Sequence, residues 1–280
     1  MRPADYDAQM GESSGREKSG ARRQIYVEVR IQTPLEHVWK LSQDTSLHSA
    51  WDLRFSRIVP LSDNGQGLQH FRYEFRLPFH TIHGTGTSLG HRFRPDGQAT
   101  SVLKFDTADL FSPIGQGSGY WRYIPTGDGL RFITGYNYSP GMGALGKAMD
   151  SWLVRPALGW ATAISFDRLR LWAERDLDPK DSRNRWFLDA AARAGGALTA
   201  SMLLREAVDK RSAAAALTGL ALAGASWLLP PHRTVPRAGR CLRNPPDLRS
   251  GRAPSALARL DAPLFAGVTP SGEDGHGVDL

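Results

Sequence analysis

The feature that most constrains the fold is a series of strand-like segments between residues 53 and 139. Apolar or aromatic residues recur there at every second position, which is the period of a β-strand with one buried face. The connections, such as Asp63-Asn64-Gly65 and Gly127-Asp128-Gly129, carry turn residues and are too short for β-α-β crossovers. The pattern therefore predicts antiparallel hairpins. The six predicted strands are Leu53–Leu61, Leu68–Phe79, Thr81–Phe93, Ala99–Leu110, Gly119–Pro125 and Leu130–Ser139.

A further strand and three helical segments flank this series. Gln24–Gln32 alternates cleanly between apolar and polar residues, which predicts a half-buried strand. It ends at Thr33-Pro34-Leu35-Glu36, which matches a capping box with proline at the first helical position and predicts a short helix. Leu47–Trp51 predicts a second helical turn. After the strands, Gly141–Asp176 has apolar residues at helical spacing and predicts one long helix, kinked at Pro156.

This order of elements resembles the START-like superfamily, also called SRPBCC, which includes pollen-allergen-like proteins and polyketide cyclases. Thr33–Trp39 resembles its opening signature, Leu47–Asp52 its following tryptophan element, and Gly159–Leu171 its amphipathic closing helix. The resemblance covers roughly residues 24–176. It implies an α+β helix-grip fold, in which a curved, seven-stranded antiparallel sheet wraps around a long C-terminal helix. Members differ in activity, so the resemblance does not imply a reaction.

Composition divides the chain into four regions. Residues 1–23 are polar and predict a disordered arm without a secretory signal. Residues 24–179 form the START-like domain, 180–229 an alanine-rich helical extension, and 230–280 an irregular tail with many prolines. The single cysteine, Cys241, excludes an internal disulfide framework and a cysteine-based zinc site, which favours a reducing, cytoplasmic location.

The net charge of +7 is unevenly distributed along the chain. Residues 24–179 carry 16 basic and 15 acidic side chains, whereas residues 180–240 carry 10 basic and 4 acidic ones. A nucleic-acid-binding module normally has a basic face with stacking aromatics, but here the domain is nearly neutral and its aromatics are predicted to face inward. Nucleic acid is therefore not an expected partner.

The resemblance implies an apolar cavity between the sheet and the long helix, occupied by a small hydrophobic ligand that is lipid-like or polyketide-like. Aromatic rings with a few hydroxyls suit such a ligand. A competing interpretation is that these side chains fill the core and make the chain an interaction module. The predicted lining residues are Phe71, Tyr73, Phe75, Leu103, Phe105, Trp121, Tyr123, Phe132, Tyr136, Tyr138, Met149, Trp152 and Trp160.

An alternative function is that of a cyclase or aromatase, which needs polar groups inside the cavity to polarise a carbonyl and move a proton. Tyr136 and Tyr138 are the candidate catalytic residues. Asp150 and Arg155 are five residues apart, so they are not expected to share one face of an α-helix. No nucleophile, metal-ligand or phosphate-loop pattern is recognisable, and no cofactor or metal is expected.

Residues 212–229 are eighteen consecutive uncharged residues, seven of them alanine, with Trp227 near one end. That length is at the short limit of a membrane span. Three interpretations stay open: a helical hairpin that packs on the domain, a helix that crosses a membrane or lies in its interface, and an unstructured linker. Basic residues on both sides of the segment favour contact with an anionic surface.

Overall fold

A computed structural model describes residues 24–63, 68–91 and 94–260. The predicted arm at 1–23, the turn residues Asn64 and Gly65, and the end of the predicted tail at 261–280 lie outside these ranges. The described chain is built on one sheet with helices against one of its faces.

The sheet has seven antiparallel strands in the order β1-β7-β6-β5-β4-β3-β2, so every pair except β1–β7 joins strands that are consecutive in the chain. This is the hairpin series that the short connections predict. The strands are β1 (Ile25–Ile31), β2 (Arg57–Asp63), β3 (Leu68–Arg76), β4 (Thr81–His91), β5 (Ala99–Asp106), β6 (Ile114–Thr126) and β7 (Gly129–Pro140).

Helices cover the inner face of the sheet. The helices α1 (Leu35–Gln43) and α2 (Thr45–Trp51) follow β1. After β7, a helix runs from α3 (Gly143–Met149) through a π-helical turn (Asp150–Val154) into α4 (Arg155–Arg175). The largest core cluster joins β1, β5, β6 and β7 to α1, α2 and α4 around Trp51, Phe132 and Phe166, which are fully buried. The expected α+β helix-grip fold is thereby confirmed.

Two local predictions are wrong. The strand predicted from Leu53 begins only at Arg57, because residues 53 and 54 form a turn after α2; Ile58 of this strand lines the inner cavity. The capping box is also absent, since Thr33 Oγ1 donates to the carbonyl of Ala173 in α4, at 3.1 Å, and no side chain caps α1. At Thr33 a tertiary contact replaces the local pattern.

At Pro156, where the sequence predicts a kink, the structure has a π-helical turn immediately before the proline. Proline has no N–H and its ring clashes with the carbonyl four residues earlier, which is that of Trp152. The preceding turn, Asp150–Val154, widens to the i→i+5 spacing, with the Arg155 N–H bonded to the Asp150 carbonyl. An extra residue in one turn rotates the later part of the helix relative to the earlier part.

The chain after residue 229 contributes to both sides of the sheet: Ala238 and Cys241 pack against the main core, and the short helix at Ala256–Arg259 packs on the outer face. Leu242 forms an antiparallel bridge with Glu28, and the N–H of each donates to the carbonyl of the other at 2.9 Å. The side chain of Tyr120 donates to the carbonyl of Ser250, and Leu260 is buried beside it. Part of the region predicted as an irregular tail therefore belongs to the packed structure.

The alanine-rich region forms two helices that pack on each other, α5 (Pro179–Lys210) and α6 (Ala213–Leu228), and we call this pair the hairpin. Small residues allow the helices to approach closely: Gly196 of α5 contacts Ser226 of α6, and Gly219 of α6 contacts Leu204 of α5. Within the described ranges, no helix has both the length and the apolar character needed to cross a bilayer.

Candidate functional site

A cavity of about 210 Å³ lies between the inner face of the sheet and the helices. Strands β2 to β7 contribute mostly apolar side chains, α1 and α2 contribute polar ones, and Leu158 and Ala161 of α4 close the cavity on the helical side. Seven of the predicted lining residues lie here, namely Phe71, Tyr73, Phe75, Leu103, Phe105, Trp121 and Tyr136.

The alternation of the strands accounts for the positions of these seven side chains, because neighbouring strands in register present the same face. Each of three rings lies directly opposite a glycine of the adjacent strand: Phe71 opposite Gly86, Tyr73 opposite Gly84, and Phe105 opposite Gly117. A Cβ atom at each glycine would overlap the ring. The glycines therefore let the three rings lie over the neighbouring strand and line the cavity wall.

The six other predicted residues lie outside this cavity. Tyr123 and Phe132 are fully buried in the main core, where the Tyr123 hydroxyl contacts Ser42 Oγ at 2.7 Å. Tyr138 and Met149 belong to a small cluster that borders the cavity through Tyr136 and Phe105. Trp152 lies exposed in the π-helical turn, and Trp160 packs its ring edge against Trp186 of the hairpin. Both tryptophans lie away from the cavity because the π-helical turn before Pro156 adds a residue to one turn, which shifts the helical phase in a way that a kink alone does not.

The structure adds a buried ion pair that the sequence did not single out. Asp52 follows α2 and is fully buried, and Arg54 donates to both of its oxygens, from Nε to Oδ1 at 2.9 Å and from Nη2 to Oδ2 at 2.6 Å. Nε2 of His48 lies 3.1 Å from Asp52 Oδ2. Arg54 and His48 both line the cavity. In the sequence, an Asp-x-Arg pair is indistinguishable from an ordinary surface pair.

The charges of this pair are strongly coupled. Burial by itself would raise the pKa of Asp52, but the positive charge of Arg54 and the hydrogen bonds from His48 and Arg54 outweigh it and lower the pKa well below its usual range. Burial would lower the pKa of Arg54, yet Asp52 raises it. The wall of the cavity therefore carries a full ion pair whose net charge is zero.

Tyr136 extends this polar group across the cavity. Its hydroxyl lies 2.9 Å from Thr162 Oγ1, which itself donates to the carbonyl of Leu158, so Tyr136 is the donor to Thr162. The Arg54 guanidinium lies 5.3 Å from the centre of the Tyr136 ring, within cation–π distance. Burial raises the pKa of Tyr136, and Arg54 only partly opposes this effect. The phenol is therefore neutral at physiological pH.

The second candidate catalytic residue, Tyr138, is held by a different polar cluster. Its hydroxyl donates to Asp150 Oδ1 at 2.7 Å, and Arg155 Nε donates to Asp150 Oδ2 at 2.6 Å. The expectation that Asp150 and Arg155 lie on different faces is wrong, because the π-helical turn aligns residues five apart. Arg155 also donates to Asn137 and to the Tyr138 carbonyl, so the cluster joins β7 to the π-helical turn.

No known protein-family profile matches the chain. It is 43% identical over 158 residues to YndG of Bacillus subtilis strain 168, which is described as an uncharacterized membrane protein. That similarity covers 56% of this chain and 59% of the relative, so the chain spans about three fifths of the relative's length.

Among solved structures, the ZhuI aromatase/cyclase of Streptomyces sp. R1128 is 14% identical, with a TM-score of 0.42 over 55% of this chain and 94% of that one. The lipid transfer and protein localization domain of human StarD13 is 13% identical, with a TM-score of 0.42 over 56% of this chain and 81% of that one. A STAR-related lipid transfer protein of Xanthomonas axonopodis is 17% identical, with a TM-score of 0.38 over 48% and 79%.

The architecture is established by the chain's own topology. The seven antiparallel strands of one sheet, the two short helices after β1 and the long helix after β7 are the elements that the START-like resemblance implies. The long helix packs on the inner face of the sheet and closes a cavity there. The described chain therefore has the helix-grip fold of START-like proteins.

Proposed function

We propose that this chain binds a small, mostly apolar molecule in the cavity between the sheet and α4. The observation that carries the proposal is a predominantly apolar wall that includes Arg54, whose charge is neutralised by the buried Asp52 behind it. Ligand sites in proteins commonly combine an apolar lining with a few fixed polar groups that orient the ligand.

The volume limits the size of the ligand. A cavity of about 210 Å³ is smaller than the roughly 300–1,000 Å³ of typical ligand sites. An apolar cavity of about 150 Å³ is sufficient to hold benzene. We therefore infer a ligand on the scale of one substituted aromatic ring or a short acyl chain. A polyketide with several rings would require the cavity to widen.

The charges limit the polar group of the ligand. Arg54 has five N–H donors, of which two are directed at Asp52 and another forms a hydrogen bond with Tyr136, so N–H groups are left to meet a ligand oxygen. Because Asp52 already neutralises Arg54, a carboxylate would enter an apolar cavity without a counter-charge, which is unfavourable. We infer an uncharged acceptor, such as a carbonyl, placed beside Arg54 and Tyr136.

Three probes of similar shape test this proposal on the full chain: acetophenone, ethylbenzene and benzoate, titrated by NMR or calorimetry. Acetophenone should bind about 3–10 times more tightly than ethylbenzene, as expected for one net hydrogen bond, and benzoate should bind worst. The double variant Asp52→Asn/Arg54→Gln keeps the site neutral and removes the guanidinium. It should therefore bind acetophenone and ethylbenzene with equal affinity.

A cavity-filling variant provides the control. Leu103→Trp should abolish binding of all three probes, whereas the same change at the exposed Leu110 should leave binding unaltered. If no probe binds the parent chain, or if Leu103→Trp binds as the parent does, the cavity is not a ligand site and the residues around it are simply core.

We also propose that residues 212–229 associate with a membrane. Two observations support this second proposal: Leu217 and Leu220 of α6 are exposed, and the relative YndG is described as a membrane protein. Co-sedimentation of the full chain with lipid vesicles tests it, and a chain that stays in the supernatant with every vesicle composition would refute it.

A further inference from the structure

The outer surface of the hairpin is apolar along both helices. On α5, Leu198 and Met202 are 63% and 70% exposed, and on α6, Leu217 and Leu220 are 69% and 60% exposed. These residues lie opposite the seam at which Gly196 and Gly219 bring the helices together. At the seam, small residues pack against one another and against Leu204 and Leu222, whereas Leu198, Met202, Leu217 and Leu220 are left in contact with solvent.

The hairpin also has a central section without any charged side chain. Residues 194–204 of α5 and 212–229 of α6 contain no Asp, Glu, Lys or Arg. Charge returns at both ends with an excess of basic residues: Arg205, Lys210 and Arg211 against Glu206 and Asp209 beside the turn, and Lys180, Arg183, Arg185 and Arg233 against Asp181 near the domain; all ten are exposed. Residues 180–240 together carry ten basic and four acidic side chains.

The arrangement favours one kind of partner. A second copy of the chain that docked on the outer face of one helix would leave the apolar face of the other helix in water. A lipid phase, by contrast, contacts the outer faces of both helices. The basic side chains at the two ends complement a negatively charged surface. Lipid also fits the exposed Trp227 at the end of α6, since tryptophan is favoured where headgroups meet acyl chains.

We infer that the hairpin lies along the surface of an anionic membrane, immersed to about the depth of one helix, with its basic ends at the headgroups. This inference rests on the membrane association proposed for residues 212–229, and adds α5, the lipid charge and the orientation. Insertion of the hairpin with its turn first would place Arg205, Lys210 and Arg211 among the acyl chains, which is energetically unfavourable. A hairpin parallel to the surface keeps both charged ends in water while its outer faces reach the apolar layer.

Vesicle flotation of the full chain tests the inference. The chain should float with vesicles of phosphatidylcholine and phosphatidylglycerol, and bind at least tenfold more weakly to phosphatidylcholine alone, because each nearby basic residue adds to the attraction. Leu198→Glu/Met202→Glu should abolish flotation. Leu248→Glu, at a leucine that is 96% exposed and lies outside the hairpin, is the control and should float normally.

Orientation is tested with lipids brominated on their acyl chains. Trp227 lies at the end of the hairpin opposite the turn, so it reaches the bromines only if the hairpin lies along the surface. Quenching of the tryptophan fluorescence should fall in Trp227→Phe. Quenching that is equal in parent and Trp227→Phe chains overturns the parallel orientation.

The possible outcomes distinguish the preference for anionic lipid from the membrane association itself. Equal flotation with zwitterionic and anionic vesicles would overturn the preference for anionic lipid and leave the membrane association intact. If the chain does not float with any vesicle composition, both the membrane association and the preference for anionic lipid are overturned. A concentration-dependent dimer that Leu198→Glu/Met202→Glu dissociates would then assign the apolar faces to a second copy of the chain. Binding of acetophenone in the cavity is measured separately and is expected to be unchanged in these variants.

Discussion

Asp167 and Arg168 are neighbours on α4, and they bind the two ends of the chain segment that forms the hairpin. Arg168 Nη2 donates to the carbonyl of Pro179, at the start of α5, at 3.0 Å. Asp167 Oδ2 accepts hydrogen bonds from the backbone N–H of Arg237 and from Nη1 of Arg240, each at 2.7 Å. Both arginines lie in the segment that follows α6. The hairpin is thus fixed at both ends to the helix that closes the cavity.

The first prediction uses the single cysteine to measure this attachment. Cys241 follows Arg240, is buried, and has a pKa raised mainly by burial, so its thiol should react very slowly with disulfide reagents in the folded chain. Asp167→Asn weakens the charged hydrogen bonds to Arg237 and Arg240 and should increase the reaction rate at least tenfold, because local opening becomes easier. Asp181→Asn, at an exposed site, is the control. An unchanged rate would show that Asp167 does not hold this segment.

The second prediction concerns acid stability. The folded pKa of Asp52 is depressed, so its contribution is present above the unfolded-state value of about 3.9 and is lost as pH falls toward the folded value. The difference in unfolding free energy between the parent and Asp52→Asn should be constant near pH 7. It should shrink below about pH 4, by up to about 1.4 kcal/mol per pH unit.

Urea denaturation at several pH values measures this difference. Asp209→Asn, at an exposed carboxyl outside the cavity, should run parallel to the parent over the same range. If the difference in unfolding free energy between the parent and Asp52→Asn is the same at pH 7 and pH 3, the pKa of Asp52 is not depressed.

The third prediction concerns the glycines of β4. Gly86→Ala places a methyl group where the Phe71 ring lies, so the ring must rotate toward the cavity. We expect a loss of about 1–3 kcal/mol in stability, the usual cost of overpacking, together with weaker acetophenone binding. Gly127→Ala is a matched control, since no atom lies within 4 Å of its added Cβ. Parent-like binding by Gly86→Ala would mean that the ring does not enter the cavity.

The fourth prediction concerns the π-helical turn. Burial, and then the hydrogen bond to Asp150, raise the pKa of Tyr138 well above that of a free phenol. Asp150→Asn removes the negative charge and should lower this pKa, as followed by ultraviolet titration. It should also destabilise the fold by about 2 kcal/mol through the weakened bonds to Tyr138 and Arg155. Ser151→Ala, in the same turn, should change neither quantity.

The fold was predictable because its signals are local and repeated. Alternation in β3, for example, places Phe71, Tyr73 and Phe75 on one face whatever the rest of the chain does, since side chains of a strand alternate strictly. Short connections exclude parallel crossovers, and the long apolar period after β7 predicts the closing helix. These features determined the helix-grip architecture, the inward face of most strands, and seven of the residues around the cavity.

Tertiary structure decided what depends on residues distant in sequence. Thr33 bonds to Ala173 and does not cap α1, and the π-helical turn before Pro156 moves Trp152 and Trp160 away from the cavity. Asp52 and Arg54 become a buried pair only because the sheet and α4 enclose the chain after α2. Periodicity reports which face of an element is apolar. Where that face lies, and which charges become enclosed beside it, is fixed only when the elements pack.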